Sequence, residues 1–395
     1  MAHPIKSSRL VIPASPHRIT DIDAWRGMVI ILMALDHSRD FFDVDALHFS
    51  ATDLNQTYPI LFLTRFVSHL CAPSFVFLAG ISAFLSANRR SLSQTVIYLS
   101  TRGIWLILID MLFISPMWTH EFWKFGLDTF SAIGFSLLAL SLMLPFSRKF
   151  IFCSGILITL LHNILDFYPD LGRYYLGQFW FLIHERGPLP FGLPGQVNYP
   201  IVPWIGLIFL GYGTGGFFIA PQVTWREQAK QIGFALLIIF VFIRYINIYG
   251  DPIHWRQYPT ALMTLFSFIN ITKYPPSLDF ILITMGFSLI GLSLMHLLKQ
   301  DFHRILTVYG QSSFLFYVIH LYLLAALAII VELFKGHSFN ELRRMISGQD
   351  FYSDYGVGLF GAYIIWIIIV IALYPAMKYL GNIKKTRKHW FLSYI

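Results

Sequence analysis

The residue best suited to chemistry in this sequence is His37, which lies in an apolar run together with Asp36, Arg39 and Asp40. A histidine exchanges protons near neutral pH, so it serves as a general base when a partner holds its ring. Asp40 follows His37 by three residues, a helical spacing that permits a side-chain contact. Asp36 adjoins His37 and points about a quarter-turn away. We predict a proton-transfer site at His37, with Asp40 or Asp36 orienting the imidazole.

Arg26 shares a predicted helical face with His37, and Met33 and Asp40 fall on that face as well. Eleven residues separate Arg26 from His37, which is about 16 Å along a helix axis. A guanidinium binds phosphate through two parallel hydrogen bonds, so Arg26 is suited to hold a phosphorylated ligand whose far end reaches His37. The alternative is an arginine that only anchors its helix end at a membrane surface.

The composition places these residues in a membrane protein. Only 13% of the 395 residues are charged, whereas a soluble domain carries about 25%. This excludes a soluble enzyme, a disordered chain, a coiled coil and a secreted disulfide scaffold. The net charge of +8 comes from basic residues scattered between apolar runs, so we expect no nucleic-acid partner. Cys71 and Cys153 stand inside apolar runs and predict neither a disulfide framework nor a metal site.

A helix needs about 20 apolar residues to cross the hydrocarbon core. The sequence therefore predicts an all-α, polytopic integral membrane bundle of about ten (ten or eleven) transmembrane helices. The ninth run is overlong, which predicts a kink or a tilt. Two shorter stretches, 173–183 and 257–271, are predicted to be interfacial or re-entrant. The ten apolar runs are 24–43, 68–87, 94–116, 127–146, 150–168, 201–220, 229–249, 277–299, 305–335 and 356–381.

The distribution of lysine and arginine predicts that both termini lie in the cytoplasm. Basic residues are denser in the segments that this orientation puts inside, including a basic pair in the short turns. We predict a cytoplasmic segment 1–23, a single transmembrane domain 24–381 and a basic cytoplasmic tail 382–395. The outer loops are long, as functional loops often are, so we expect the acceptor of any reaction on that side. These loops are 43–67, 169–200, 250–276 and 336–355.

Further polar residues stand within the predicted spans, where ionisable groups are costly and usually functional. Arg65 and His69 share a helical face, and Pro73 interrupts the hydrogen-bond ladder near them. The depth of five such residues on different helices predicts a central polar cavity in the outer half of the membrane. These five are His69, Asp110, His162, Arg244 and His320.

Several segments resemble the transmembrane acyltransferases related to heparan-α-glucosaminide N-acetyltransferase, in their bacterial branch. The segments occur in the family's order and cover most of the chain. The first two are specific, whereas the glycine-containing one alone would be weak. They are DIDAWRGMVIILMALDHSRDFF at 21–42, TDLNQTYPILFLTRFVSHLCAPSFVFLAGISAFLS at 52–86, YPIVPWIGLIFLGYGTG at 199–215, KYPPSLDFILITMG at 273–286 and GQSSFLFYVIHLYL at 310–323.

This resemblance implies an enzyme that takes an acetyl group from cytoplasmic acetyl-CoA and delivers it across the membrane to an acceptor, often a sugar. In the lysosomal members an Asn on the first helix and a later His serve the active site. Asp36 aligns with that Asn, and His48 falls within one residue of that His, whereas bacterial members show the pair of Asp36 and His37. His320 matches a late His of the family. The candidate catalytic residues are therefore His37, Asp36, Asp40, His69, His320 and His48.

The donor and acceptor sites are predicted from the same segments and from the basic residues, and no metal is expected. Gly211 and Gly215 have the spacing of close helix packing, or of a backbone opened to a ligand. Arg39, Arg65 or His69 is expected to polarise the acetyl carbonyl. The candidates for acetyl-CoA binding are Arg26, Arg39, Arg65, Arg89, Arg90, Arg102, Gly211 and Gly215. The candidates for acceptor binding are Trp204, Lys273 and Tyr274.

Two other functional classes remain open from the sequence. A transporter or flippase for a small polar or glycan-type substrate would explain a polar cavity without acyl chemistry. A structural or sensory membrane protein would explain less of the motif set. We expect a multi-pass protein of the bacterial plasma membrane whose oligomeric state stays open, with a homodimer among the alternatives.

Overall fold

The computed structural model describes residues 19–119, 123–346 and 354–386. Most of the predicted cytoplasmic segment 1–23 and most of the tail 382–395 therefore lie outside the described residues. Residues 20–23 already belong to the first helix. Part of the predicted outer loop 336–355 also lies outside.

The first half of the described chain is helical except for its connections. A π-helical stretch, Asp110–Ile114, continues the fifth helix. The helices are α1 Thr20–Phe42, α2 Asp45–His48, α3 Pro59–Ser68, α4 Cys71–Ala87, α5 Leu92–Ile109, α6 Ser115–Thr119, α7 Thr129–Met143, α8 Arg148–Leu161 and α9 Pro169–Leu176.

The second half continues in the same way, and the predicted short stretches 173–183 and 257–271 contain short helices. The helices are α10 Phe179–Ile183, α11 Val202–Thr214, α12 Gln222–Ile246, α13 Ala261–Ile269, α14 Leu278–Leu294, α15 Gln300–Gln311, α16 Ser313–Phe334, α17 Phe339–Ile346 and α18 Gly358–Thr386.

Eight helical segments of the described residues are long and apolar enough to cross a membrane, so the predicted all-α membrane bundle is confirmed. Two further predicted runs correspond to α1, which is 23 residues long but carries several charges, and to α7, which has 15 residues. The count of ten spans and the orientation stay predictions. The eight segments are Pro59–Ala87, Leu92–Trp118, Arg148–Phe167, Val202–Ile219, Gln222–Ile246, Leu278–Leu297, Ser313–Phe334 and Gly358–Lys384.

One predicted boundary is wrong, and the kink predicted for the ninth run is a break between two helices. The second span begins at Pro59 rather than at residue 68, because a proline at the first helical position starts α3, which leads into α4. The ninth run is two helices, α15 and α16, which meet at Ser312. Ser312, with φ −119° and ψ 19°, separates the two helices. Gly310 just before it packs closely on α1, because a Cβ there would lie 1.8 Å from the carbonyl oxygen of Asp23. This close packing holds α15 against α1.

Helix α1 lies at the centre of the bundle and packs against α3, α4, α15, α16 and α18. At its start, the buried carboxylate of Asp21 accepts hydrogen bonds from Arg226 at 2.5 and 2.9 Å and lies 3.0 Å from His303 Nε2. Farther along, Trp366 on α18 donates to the Ile31 carbonyl at 2.8 Å. These contacts fix α1 at its start and at its middle, so the side chains along it keep fixed positions.

A three-stranded sheet joins the segment before α7 to the predicted outer loop 169–200. Its strands are β1 Phe125–Leu127, β2 Gly187–Pro188 and β3 Gly195–Val197, in the order β1-β3-β2. Strand β3 is parallel to β1 and antiparallel to β2. Asp110 supports this region from the membrane side, because its carboxylate accepts from the backbone N–H of Asp128 at 2.8 Å and of Ser131 at 2.7 Å. The sheet is thus tied to the start of α7.

The predicted orientation has a direct test. We expect a reporter that is active only outside the cytoplasm to give no signal when fused at residue 395, and to give signal when inserted within 336–355. The physical reason is the excess of basic residues in the segments assigned to the inside. A reporter active only in the cytoplasm is the control and should give the reverse pattern. External activity from the C-terminal fusion would overturn the orientation.

Candidate active site

Helices α1 and α16 bring together two of the predicted catalytic histidines. Nδ1 of His37 lies 2.9 Å from Nε2 of His320, and the two ring planes differ by 7°. Nδ1 of His320 lies 2.7 Å from the carbonyl oxygen of Phe316, one turn earlier on the same helix. His37 is 9% exposed and His320 is fully buried. The two imidazoles therefore form a buried hydrogen-bonded pair, and His320 is in turn hydrogen-bonded to a backbone carbonyl.

Aromatic rings enclose this pair. The rings of Trp118 and Tyr317 meet His37 edge-on, with centroids 5.3 and 5.6 Å from it. Phe316 stacks on His320 at 5.0 Å with an interplanar angle of 12°. These contacts fix both imidazole planes and surround His320 with apolar groups.

A cavity of about 360 Å³ extends along α1 from Arg26 to Tyr317 of the aromatic enclosure. Arg26, Arg102 and Lys384 line its inner part, and Tyr317 lines its deep part. Met33 also lines the cavity and lies one helical turn before His37. The cavity therefore follows α1 from the predicted phosphate-binding cation almost to the predicted base.

The cations at the inner end have defined partners. Arg26 Nη1 lies 3.1 Å from Oδ1 of Asp23. Arg102 donates to the hydroxyl of Tyr98 at 2.9 Å, and the guanidinium carbon of Arg90 lies 4.2 Å from the centre of the Tyr98 ring. Arg26, Arg102 and Lys384 line this end of the cavity, whereas Arg90 does not, and cations of this kind suit a phosphorylated ligand.

The two carboxylates predicted to orient His37 have other partners, which corrects that expectation. Asp36 forms ion pairs with Arg65 and, at 3.1 Å, with Arg39. Asp40 lies 2.5 Å from Arg39. Arginine attracts a carboxylate more strongly than a neutral imidazole does, so the local spacing that favoured Asp40 did not decide the contact. His320, from a distant helix, holds the ring nitrogen of His37 instead.

The remaining predicted donor-binding residues do not line the cavity. Arg89 is exposed in the turn after α4. A Cβ on Gly211 would lie 2.2 Å from the carbonyl oxygen of Phe77, and one on Gly215 would lie 2.5 Å from the ring of Phe84. Both glycines therefore serve close packing of α11 and the turn after it against α4, which was the first of the two interpretations of their spacing. Arg39 and Arg65 are engaged with Asp36, as described above.

Two of the predicted acceptor residues lie in the loop before α14. The ammonium of Lys273 lies 5.1 Å from the centre of the Tyr274 ring, and the Tyr274 hydroxyl lies 3.3 Å from that of Tyr199. Burial opposes ionisation of Tyr274, but the charges of Lys273 and Arg65 outweigh it and hold the pKa of Tyr274 below its ordinary value of 10. Trp204 is fully buried behind Tyr199, so it supports that ring and presents no surface to an acceptor.

None of the five polar residues predicted to converge on one cavity lines the cavity along α1. His69 is buried, and its ring centre lies 5.4 Å from that of Phe280. His162 contacts the carbonyl oxygen of Pro276 at 2.9 Å. Arg244 donates to four backbone carbonyls around 253–270 at 2.8–3.3 Å, and Asp110 caps α7. Buried polar groups need hydrogen-bond partners. His162, Arg244 and Asp110 find theirs on the backbone of neighbouring segments and thereby hold those segments in place. His48 is the last residue of α2, where it is exposed, and it does not belong to the pair of His37 and His320.

Sequence reasoning missed four residues of this region. They are Tyr98 and Lys384 at the inner end of the cavity, and Trp118 and Tyr317 around His37. Tyr317 had a usable signal, since it precedes His320 by three residues and shares its helical face. The other three are unremarkable in sequence.

The chain was compared with protein families and with curated proteins. A family model described as "Heparan-alpha-glucosaminide N-acetyltransferase, catalytic" matches residues 18–243, which is more than half of the chain. This range includes Arg26, His37 and Arg102, whereas His320 and Lys384 lie beyond it. No curated protein matches the chain. In the described residues, no group of three or more His, Cys, Asp or Glu side chains is arranged to hold a metal ion.

Proposed function

Because the chain is a multi-pass membrane protein that belongs to the heparan-alpha-glucosaminide N-acetyltransferase catalytic family, we propose that it is an acetyl-CoA-dependent acetyltransferase. It would move the acetyl group of cytoplasmic acetyl-CoA to an amine or hydroxyl of a sugar or glycan outside the cytoplasm. Its membrane would be the bacterial plasma membrane.

The observation that carries this proposal is the cavity along α1. Its inner part is lined by Arg26, Arg102 and Lys384, which suit the phosphates of CoA. Its deep part reaches Tyr317, whose ring meets His37. The phosphate end of an extended thioester would stay at the cations, and the acetyl end would lie next to the base. The described residues thus fit this donor.

The proposed chemistry uses His37 as a general base. His37 takes the proton of the acceptor amine or hydroxyl while that nitrogen or oxygen attacks the thioester carbonyl carbon. The new C–N or C–O bond forms, the C–S bond breaks, and the proton passes from His37 to the CoA thiolate. An acetyl-histidine intermediate is the second route with the same residues, in which His37 first carries the acetyl group.

The acceptor would approach from the opposite side. Lys273 and Tyr274 lie in the loop that precedes α14, next to Arg65 and Tyr199. Hydroxyls and cations bind the oxygens of sugars, and stacked aromatic rings fit their faces. We propose that this group meets the acceptor, while the cavity along α1 meets the donor.

The function is tested with purified protein in detergent, acetyl-CoA labelled in the acetyl group and a panel of amino sugars and neutral sugars. We expect label to appear in a sugar product and free CoA to form in equal amount. Mass spectrometry of envelope glycans, with and without the protein, would identify the natural acceptor. Sugar binding or transport without any acetyl transfer would contradict the proposal.

The donor site gives a separate prediction. We expect Arg26→Ala to weaken acetyl-CoA binding by about tenfold to a hundredfold, because a hydrogen bond to a charged group contributes about 1.5–3 kcal/mol. Turnover at saturating donor should change little, since a phosphate contact stabilises ground and transition states alike. Direct binding of acetyl-CoA to the folded variant measures this. Arg89→Ala is the matched control, because Arg89 is an exposed cation near the same side. Unchanged affinity in Arg26→Ala would remove Arg26 from the donor site.

A further inference from the structure

The contacts between His37 and His320 determine where the protons of both rings lie. The carbonyl oxygen of Phe316 only accepts hydrogen bonds, so Nδ1 of His320, 2.7 Å away, carries a proton. A neutral imidazole has one N–H, which leaves Nε2 of His320 as an acceptor. Nδ1 of His37, 2.9 Å from that atom, must then be the donor. The lone pair of His37 consequently lies on Nε2.

His320 has the surroundings of a neutral ring. It is fully buried, Phe316 stacks on one side of it, and Tyr317 meets it edge-on. The nearby carboxylate of Asp36 is paired with Arg39 and Arg65 rather than with His320. A buried imidazolium without a paired carboxylate would be costly, so the neutral form is the stable one.

We propose that His320 is a positioning residue that holds His37 in the tautomer with a proton on Nδ1 and makes Nε2 the proton-accepting atom. This inference rests on the proposed function for its role in acetyl transfer, but the tautomer itself does not depend on that function. When Nε2 of His37 takes the acceptor proton, the Nδ1–H bond to His320 becomes charge-assisted and stronger. His320 thus does what Asp36 and Asp40 were expected to do.

Two near-isosteric replacements separate the two hydrogen bonds of His320. In His320→Gln, the amide oxygen reaches the place of ring Nε2 and accepts from His37, but the bond to the Phe316 carbonyl is lost. In His320→Asn, the shorter amide reaches the place of Nδ1 and donates to Phe316, but His37 loses its acceptor. Each of these two variants therefore serves as the matched control for the other.

We expect His320→Gln to keep kcat within about tenfold of the natural protein, and His320→Asn to lose about 10²–10⁴-fold, as removal of a general base does. Both variants should bind acetyl-CoA with unchanged affinity, because His320 does not line the donor cavity. The reverse order, with the Asn variant active and the Gln variant inactive, would assign His320 a structural role through Phe316 and overturn the proposal.

Nitrogen-15 NMR of the protein labelled on histidine measures the tautomer without any catalysis. The His37 signals are identified as those lost in His37→Gln. We expect a protonated Nδ1 and an unprotonated Nε2 on His37, and a proton on Nε2 would overturn the proposal. A protein that shows this tautomer but transfers no acetyl group would refute the proposed function and leave the proton arrangement standing.

Discussion

Replacing His37 by alanine is expected to lower acetyl transfer by about 10²–10⁴-fold, the usual effect of removing a general base. The reason is positional as well as chemical. His37 is fixed by a hydrogen bond to His320 and by the edges of Trp118 and Tyr317, one turn beyond the end of the cavity at Met33. Acetyl-CoA binding should persist, because Arg26 and the other cations at the inner end are untouched.

The measurement is kcat with labelled acetyl-CoA, together with donor affinity for the same preparation. His48→Ala is the matched control, since the resemblance leaves His48 as a rival for the same role. His48 is exposed at the end of α2, so its replacement should leave turnover close to that of the natural protein. Near-normal turnover in His37→Ala, combined with loss in His48→Ala, would move the base to His48.

The elements that carry this site were largely predictable, because hydrophobic length alone marks a membrane span. Each of the ten apolar runs coincides with described helix. The errors occurred where distant contacts override local pattern. Nothing in the run 305–335 shows that Gly310 packs on the backbone of Asp23 or that the chain leaves the helical conformation at Ser312.

The site residues were predictable by type but not by pairing. Arg26 and Met33, two of the residues predicted to share a face of α1, both line the cavity, since helical periodicity is a local property. His320, the partner of His37, lies 283 positions later in the chain, so local spacing could not predict their contact. For the same reason, local spacing favoured Asp40 and Asp36 as partners of His37, whereas Arg65, from the next long helix, takes Asp36. Contacts between helices depend on packing that one sequence does not reveal.

Asp36 is expected to give the largest change in stability. Its carboxylate pairs with Arg39 and Arg65, and all three side chains are largely buried. Asp40 pairs with Arg39, so Asp36→Asn leaves the guanidinium of Arg65 without its carboxylate partner in the interior. Breaking a buried ion pair in this way costs about 3–5 kcal/mol. We expect a clear fall in the thermal unfolding temperature of Asp36→Asn in detergent, although Asn is the residue that the resemblance suggests for this position.

The double variant Asp36→Asn with Arg65→Gln distinguishes a structural from a catalytic Asp36. It removes one charge of each sign and leaves Arg39 paired with Asp40, so most of the lost stability should return, with an interaction between the two sites in the double-mutant cycle. Both carboxylate oxygens of Asp36 face arginines. We therefore expect the turnover of the double variant to lie within about tenfold of that of the natural protein. A double variant that is as stable as the natural protein but inactive would give the ion pair of Asp36 and Arg65 a part in the chemistry. In that case the role implied by the resemblance would stand, and the arginines would be what keeps that carboxylate charged inside the membrane.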